Sequence, residues 1–162
     1  MNKVQTYSLF TDFDIDLFKA GKHYRLYEKL GAHLIEVDGV KGVYFAVWAP
    51  SARTVSVIGD FNYWIQGEHP LQVRWDSSGI WEGFIRHLKW GDIYKYGIRS
   101  NKDILLEKGD PFALSWEQNV QASSVISTTW YEWSDENWLA ERWKSNSLDA
   151  PISVYEMHLA SW

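Results

Sequence analysis

The chain has 162 residues, 46% of them apolar, and a net charge of −5, which suits one domain with its own core. An acidic surface repels phosphate backbones and anionic headgroups, so neither nucleic acid nor a membrane is expected as a partner. The chain has no cysteine, which excludes disulfides and thiolate chemistry and fits a reducing cytoplasm.

The opening stretch, Met1 to Asp16, carries three aspartates and no long apolar run, so it does not read as a signal peptide. No stretch reaches the roughly 20 apolar residues that cross a bilayer. Eleven residues are tryptophan and 17% are aromatic. Such rings fill cores and interfaces, and they also suit the apolar faces of sugar rings.

In chain order, residues 1–32 read as a helical extension. Thr11 or Asp12 can cap a short helix through Leu17, Phe18 and Ala20, ended by Gly21. Tyr24 to Leu30 forms a second turn before Gly31. Residues 33–127 change to short strands: Leu34–Val37, Val43–Ala49, Thr54–Ile58, Trp81–Arg86, Ile93–Arg99 and Ser124–Ile126. Turn residues such as Asp38-Gly39, Trp90-Gly91-Asp92 and Gly109-Asp110-Pro111 separate them. The spacing predicts an all-β, immunoglobulin-like antiparallel sandwich with short helical segments before and after it. Val43 to Trp48 is apolar on both faces and belongs in the centre of a sheet. In Ile93–Arg99, Tyr94, Tyr96 and Ile98 share one face, which turns Lys95 outward.

Residues 128–150 read as a linker with a helix, for which Ser134 is the expected N-cap. Residues 151–162 open a new strand, Ile152 to Leu159, which reads as the first strand of a further domain.

The sites that carry chemistry are few. Asp12, Asp14 and Asp16 imitate a calcium loop, but Leu17 and His23 stand where glycine and glutamate are needed. The five histidines lack metal-ligand spacing. The strongest local feature is the turn from Ile58 to Trp64. There Asn62 offers an amide to sugar hydroxyls and Trp64 offers a stacking face. The other reading of that turn packs its aromatics on a neighbouring domain.

Four segments carry a resemblance to the amino-terminal part of bacterial glycogen branching enzymes of glycoside hydrolase family 13. They are Tyr27 to His33; Gly42 through Phe45–Ala52 to Val55–Trp64; Gly79–Glu82 with Tyr94-Lys95-Tyr96 and Asp110-Pro111; and Asp149 to Trp162. The resemblance implies a carbohydrate-binding module of family 48 over 33–127 and the first strand of a truncated catalytic (β/α)8 barrel over 151–162. It implies a non-catalytic role for this chain, because the family's carboxylates lie on later barrel strands. It implies no metal or organic cofactor, and as partners an α-glucan (glycogen or amylose) and the chain's own catalytic barrel. By the same resemblance Trp64 stacks on glucose and Lys95 contacts hydroxyls, with Asn62 beside them.

A second stacking tryptophan of the family falls just ahead of the Asp-Pro turn. Here that stretch is Ile104 to Gly109, with no aromatic. A stacked ring is worth about 1–3 kcal/mol, so its loss lowers affinity about tenfold or more and weak glucan binding is expected. Two other readings stay open: a stand-alone glycogen-binding or regulatory module, and the same module from a debranching or trehalose-releasing hydrolase.

Overall fold

The computed structural model describes residues 3–118 and 122–161. It divides into two units, one ending at Thr129 and one starting at Trp130.

The first unit is an all-β sandwich of two five-stranded antiparallel sheets. One sheet is centred on β3 (Val40–Trp48), which lies between β2 (Gly31–Val37) and β6 (Ile80–Arg86). The far edge of β6 is shared by β1 (Val4–Gln5) and β5 (Gln72–Val73). In the second sheet β7 (Ile93–Ser100) pairs with β4 (Ala52–Gly59) along one edge. Its other edge is split between β8 (Leu105–Lys108) and β10 (Ser124–Val125), and β10 also carries β9 (Ser115–Trp116).

The run that is apolar on both faces, in β3, has a layer on each side. Val43, Phe45 and Val47 meet Val55, Val57, Tyr94, Tyr96 and Ile126 between the sheets. Tyr44 and Ala46 point the other way, under Phe10, Ile15 and Leu30. Ile15 belongs to helix α1 (Asp12–Lys19), whose N-cap Thr11 and third residue Asp14 form a reciprocal capping box. Asp14 is part-buried, which raises its pKa. Thr11, His23 and Lys29 outweigh that and hold the carboxyl well below its usual range.

The boundary expected at residue 32 does not divide the structure. Val4 pairs opposite Ile85, and Phe10 and Ile15 lie in a core, so the first 32 residues are built into the sandwich. A second polar network lies beside that core. The Tyr44 hydroxyl donates to Glu82 (2.6 Å), and Arg74 pairs with both Glu82 and Asp76 (2.7 Å each).

The second unit holds helix α2 (Glu136–Ser145), none of whose residues is buried. Its N-cap is Asp135, one residue after the expected Ser134, and no side chain caps it. Residues 151–158 are irregular, and Leu159–Ser161 forms one 3-10 turn. The expected strand Ile152–Leu159 finds no neighbouring strand among the described residues. Without one its backbone donors and acceptors gain nothing from an extended ladder.

Candidate functional site

The turn after β4 is built around one buried amide. A short 3-10 segment, Asp60–Asn62, follows Gly59, and Tyr63 and Trp64 then both take left-handed backbone angles (φ 55° and 61°). Neither side chain favours that region, so the surroundings must hold it. Asn62 supplies the hold. It is 2% exposed, and its Oδ1 accepts from the Gly59 N–H at 2.9 Å. Its Nδ2 donates to the Val57 carbonyl and to Nδ1 of His69, each at 2.9 Å. The Gly59 backbone lies too close to β7 for a side chain, since a Cβ there would stand 2.2 Å from the Ile93 carbonyl oxygen.

The expected sugar contact from Asn62 is therefore corrected. Its acceptor and both donor directions are spent inside the turn, so it positions Trp64 and has no donor left for a ligand. His69 is the partner that sequence spacing did not reveal. As an acceptor at Nδ1 it must be neutral there, and burial pushes its pKa down, with Lys3 adding to the shift and Glu68 opposing it.

The outer face of the second sheet carries the cleft. Tyr94 and Tyr96 point inward, where both hydroxyls donate to the fully buried Asp110 at 2.6 and 3.0 Å. Asp110 also accepts from the Phe112 N–H, and its own N–H donates to Ser124 Oγ (2.8 Å each). Burial raises the Asp110 pKa against the pull of these donors. With two tyrosines anchored inward, alternation sends Lys95 outward.

Half-buried Trp64 stands above this face. Its indole N–H donates to Asp60 Oδ1 at 2.8 Å, and Lys95 Nζ lies 6.0 Å from its ring centroid, within cation–π range. Trp64, Lys95, Glu107 and Ser123 line one cleft of about 180 Å³. It opens where β8 and β10 part along the edge of β7. The structure thus brings Trp64 and Lys95 to one cleft. Glu107 and Ser123 were not foreseen, although pairing 105–108 as a hairpin with β7 puts Glu107 on the Lys95 face. Glu107 occupies the wall just ahead of Asp110-Pro111 where the resemblance implies an aromatic.

Such a cleft offers one ring face, one cationic donor, one carboxylate acceptor and a serine at its base. That set suits a neutral polyol.

The profile of carbohydrate-binding module 48 (isoamylase N-terminal domain) matches residues 29–113, just over half of the chain. The chain is 53% identical over 153 residues to a 1,4-alpha-glucan branching enzyme GlgB of Trichormus variabilis, a match that covers 94% of this chain and 20% of the relative. It is 46% identical over 159 residues to the GlgB of Aquifex aeolicus, covering 98% of this chain and 25% of that one. The chain thus spans about a fifth to a quarter of the length of these relatives. Among solved structures, apo pullulanase from Klebsiella pneumoniae superposes with a TM-score of 0.49 at 27% identity, over 61% of this chain and 11% of that one.

Proposed function

The chain belongs to the carbohydrate-binding module 48 family, and from that premise we propose that it is the amino-terminal, non-catalytic module of a 1,4-α-glucan branching enzyme. In this role it holds α-glucan chains and supports a catalytic barrel that forms α-1,6 branches in glycogen. Residues 151–162 are in this reading the opening of that barrel, and the absence of cysteine fits a cytoplasmic setting.

The single observation that carries the glucan-binding half is the pairing of Trp64 with Lys95 across one cleft. A pyranose CH face stacks on the indole while the ammonium donates to its hydroxyls. With one stacking ring rather than two, the affinity is millimolar. The branching-enzyme half is supported by identity near one half over almost the whole chain.

Affinity electrophoresis of the chain through glycogen-containing gels tests the first half. The protein is retarded by glycogen, and Trp64→Ala removes the retardation. Equal mobility of the two proteins at every glycogen concentration refutes it. For the second half, the longer protein acts on amylose: branching lowers iodine staining without freeing reducing ends, whereas hydrolysis frees them.

A further inference from the structure

We propose that Glu107 is a sugar-contacting, specificity-determining residue. Its carboxylate accepts hydrogen bonds from the vicinal hydroxyls of a neutral glucose unit whose ring lies on Trp64. This rests on the glucan-binding reading above and names what recognises the ring edge.

The geometry starts from register. Glu107 in β8 pairs opposite Gly97 in β7. Gly97 is two residues from Lys95, so Glu107 and Lys95 share the outer face as diagonal neighbours, within reach of each other's long side chains. Both line the cleft with Trp64, and among the described residues no ion pair joins them. An acceptor and a donor lining one cleft can each engage hydroxyls on the edge of one ring. The cleft's volume of about 180 Å³ is on the scale of one hexose unit.

The chemistry then decides the ligand. A carboxylate accepts but does not donate, and its two oxygens match two adjacent hydroxyls, while Lys95 only donates. Hydrogen bonds to an ionised group are about twice as strong as neutral ones. Glu107 therefore replaces the apolar grip of a second ring with a polar one. A second ring would tolerate alkylated hydroxyls, whereas Glu107 needs them free. The carboxylate also repels phosphate esters, so the site selects unmodified glucan.

The test is a two-dimensional NMR titration that suits millimolar affinities, read at the backbone N–H groups of Lys95 and Ser123, which line the cleft and are kept in every variant. The ligands are β-cyclodextrin, as a closed α-1,4-glucan, and its derivative methylated on the 2-hydroxyls. Wild type prefers the unmodified ring. Glu107→Gln weakens that ligand about five-fold, as expected for losing the charge-assisted part of the bonds, and leaves the methylated one unchanged. Glu107→Trp binds both, without preference.

If Trp64→Ala abolishes binding but Glu107→Gln and Glu107→Ala bind as wild type does, the Glu107 assignment falls and the glucan site stands. If wild type shows no shift, or Trp64→Ala binds equally well, the glucan reading falls and takes this inference with it. Glu107 is exposed on an edge strand, and circular dichroism confirms that each variant is folded.

Discussion

Replacing Asn62 by alanine tests whether the buried amide builds the turn. The change deletes three hydrogen bonds of 2.9 Å and leaves the Gly59 N–H, the Val57 carbonyl and His69 Nδ1 without that partner. A buried hydrogen bond contributes about 1 kcal/mol net, and an orphaned buried group costs about 1–3 kcal/mol. At about 1 kcal/mol for each of the three bonds, the sum is about 3 kcal/mol. For a domain of this size that lowers Tm by roughly 10 °C. Glucan affinity falls as well, although Asn62 touches no ligand, because Tyr63 and Trp64 lose what holds them in the left-handed region.

Asn62→Asp sharpens the test through pH. Aspartate presents an oxygen where Nδ2 stood, facing the Val57 carbonyl and the lone pair of His69. Only a protonated His69 can then donate to it. In wild type the His69 pKa is lowered. Its stability contribution is therefore whole above the unfolded value of about 6.5 and is lost as pH falls through the folded value. In Asn62→Asp the His69 pKa is raised, so the contribution is present at low pH and disappears as pH rises through the folded value. His33, whose pKa burial also lowers, adds the same background to both proteins, and the difference between them isolates His69. The assay is urea unfolding followed by circular dichroism across pH 5 to 8. A loss under about 1 kcal/mol for Asn62→Ala, or parallel pH curves for Asn62→Asp and wild type, refutes the reasoning.

Further tests address the rest of the frame. Asp110→Ala removes the acceptor of the Tyr94 hydroxyl and the Phe112 N–H, leaves Tyr96 only a long 3.5 Å bond to the Ala46 carbonyl, and destabilises the sandwich by roughly 3–5 kcal/mol, measured by urea midpoint. Arg74→Met strands Glu82 and Asp76, whose partner side chain is 7% exposed, and costs about 3–5 kcal/mol; a thermal shift of only a degree or two would contradict this. Thr11→Ala removes one half of the α1 capping box and costs about 1 kcal/mol, visible as a small Tm decrease with unchanged glycogen retardation.

Alternation and turn chemistry made the sandwich readable before its pairing was known. The inward Tyr94 and Tyr96, the outward Lys95 and the central β3 follow from side-chain period alone. Short edge pieces escaped. Val4–Gln5, Gln72–Val73 and Ser115–Trp116 have two residues each, too few to show a period, and they exist because a longer strand offers a free edge. Asn62 was visible as a polar residue beside aromatics, but whether an amide faces water or backbone depends on the path of the next ten residues. That path brings His69 back beneath it: the Val57 N–H donates to the His69 carbonyl, and the Leu71 N–H to that of Val55. Glu107 needed the β7–β8 register, which its exposed Leu-Leu-Glu-Lys pattern does not specify.

The two walls of the cleft rest on different foundations. Trp64 and Lys95 are placed by groups the fold requires, Asn62 with His69 under one and Asp110 with two tyrosines under the other, so a substitution beneath either side chain disturbs a buried polar network. Glu107 is carried by an exposed edge strand whose residues share no core, and its side chain can change without cost to the sandwich. Substitution at that wall therefore separates affinity from stability, while substitution beneath the other wall couples them. A set of variants at position 107 should spread widely in glucan affinity within a narrow range of Tm, and a set at position 62 should lose both together. Correlated losses at position 107 would show that β8 is part of the stabilising frame and that its carboxylate is not an independent control on binding.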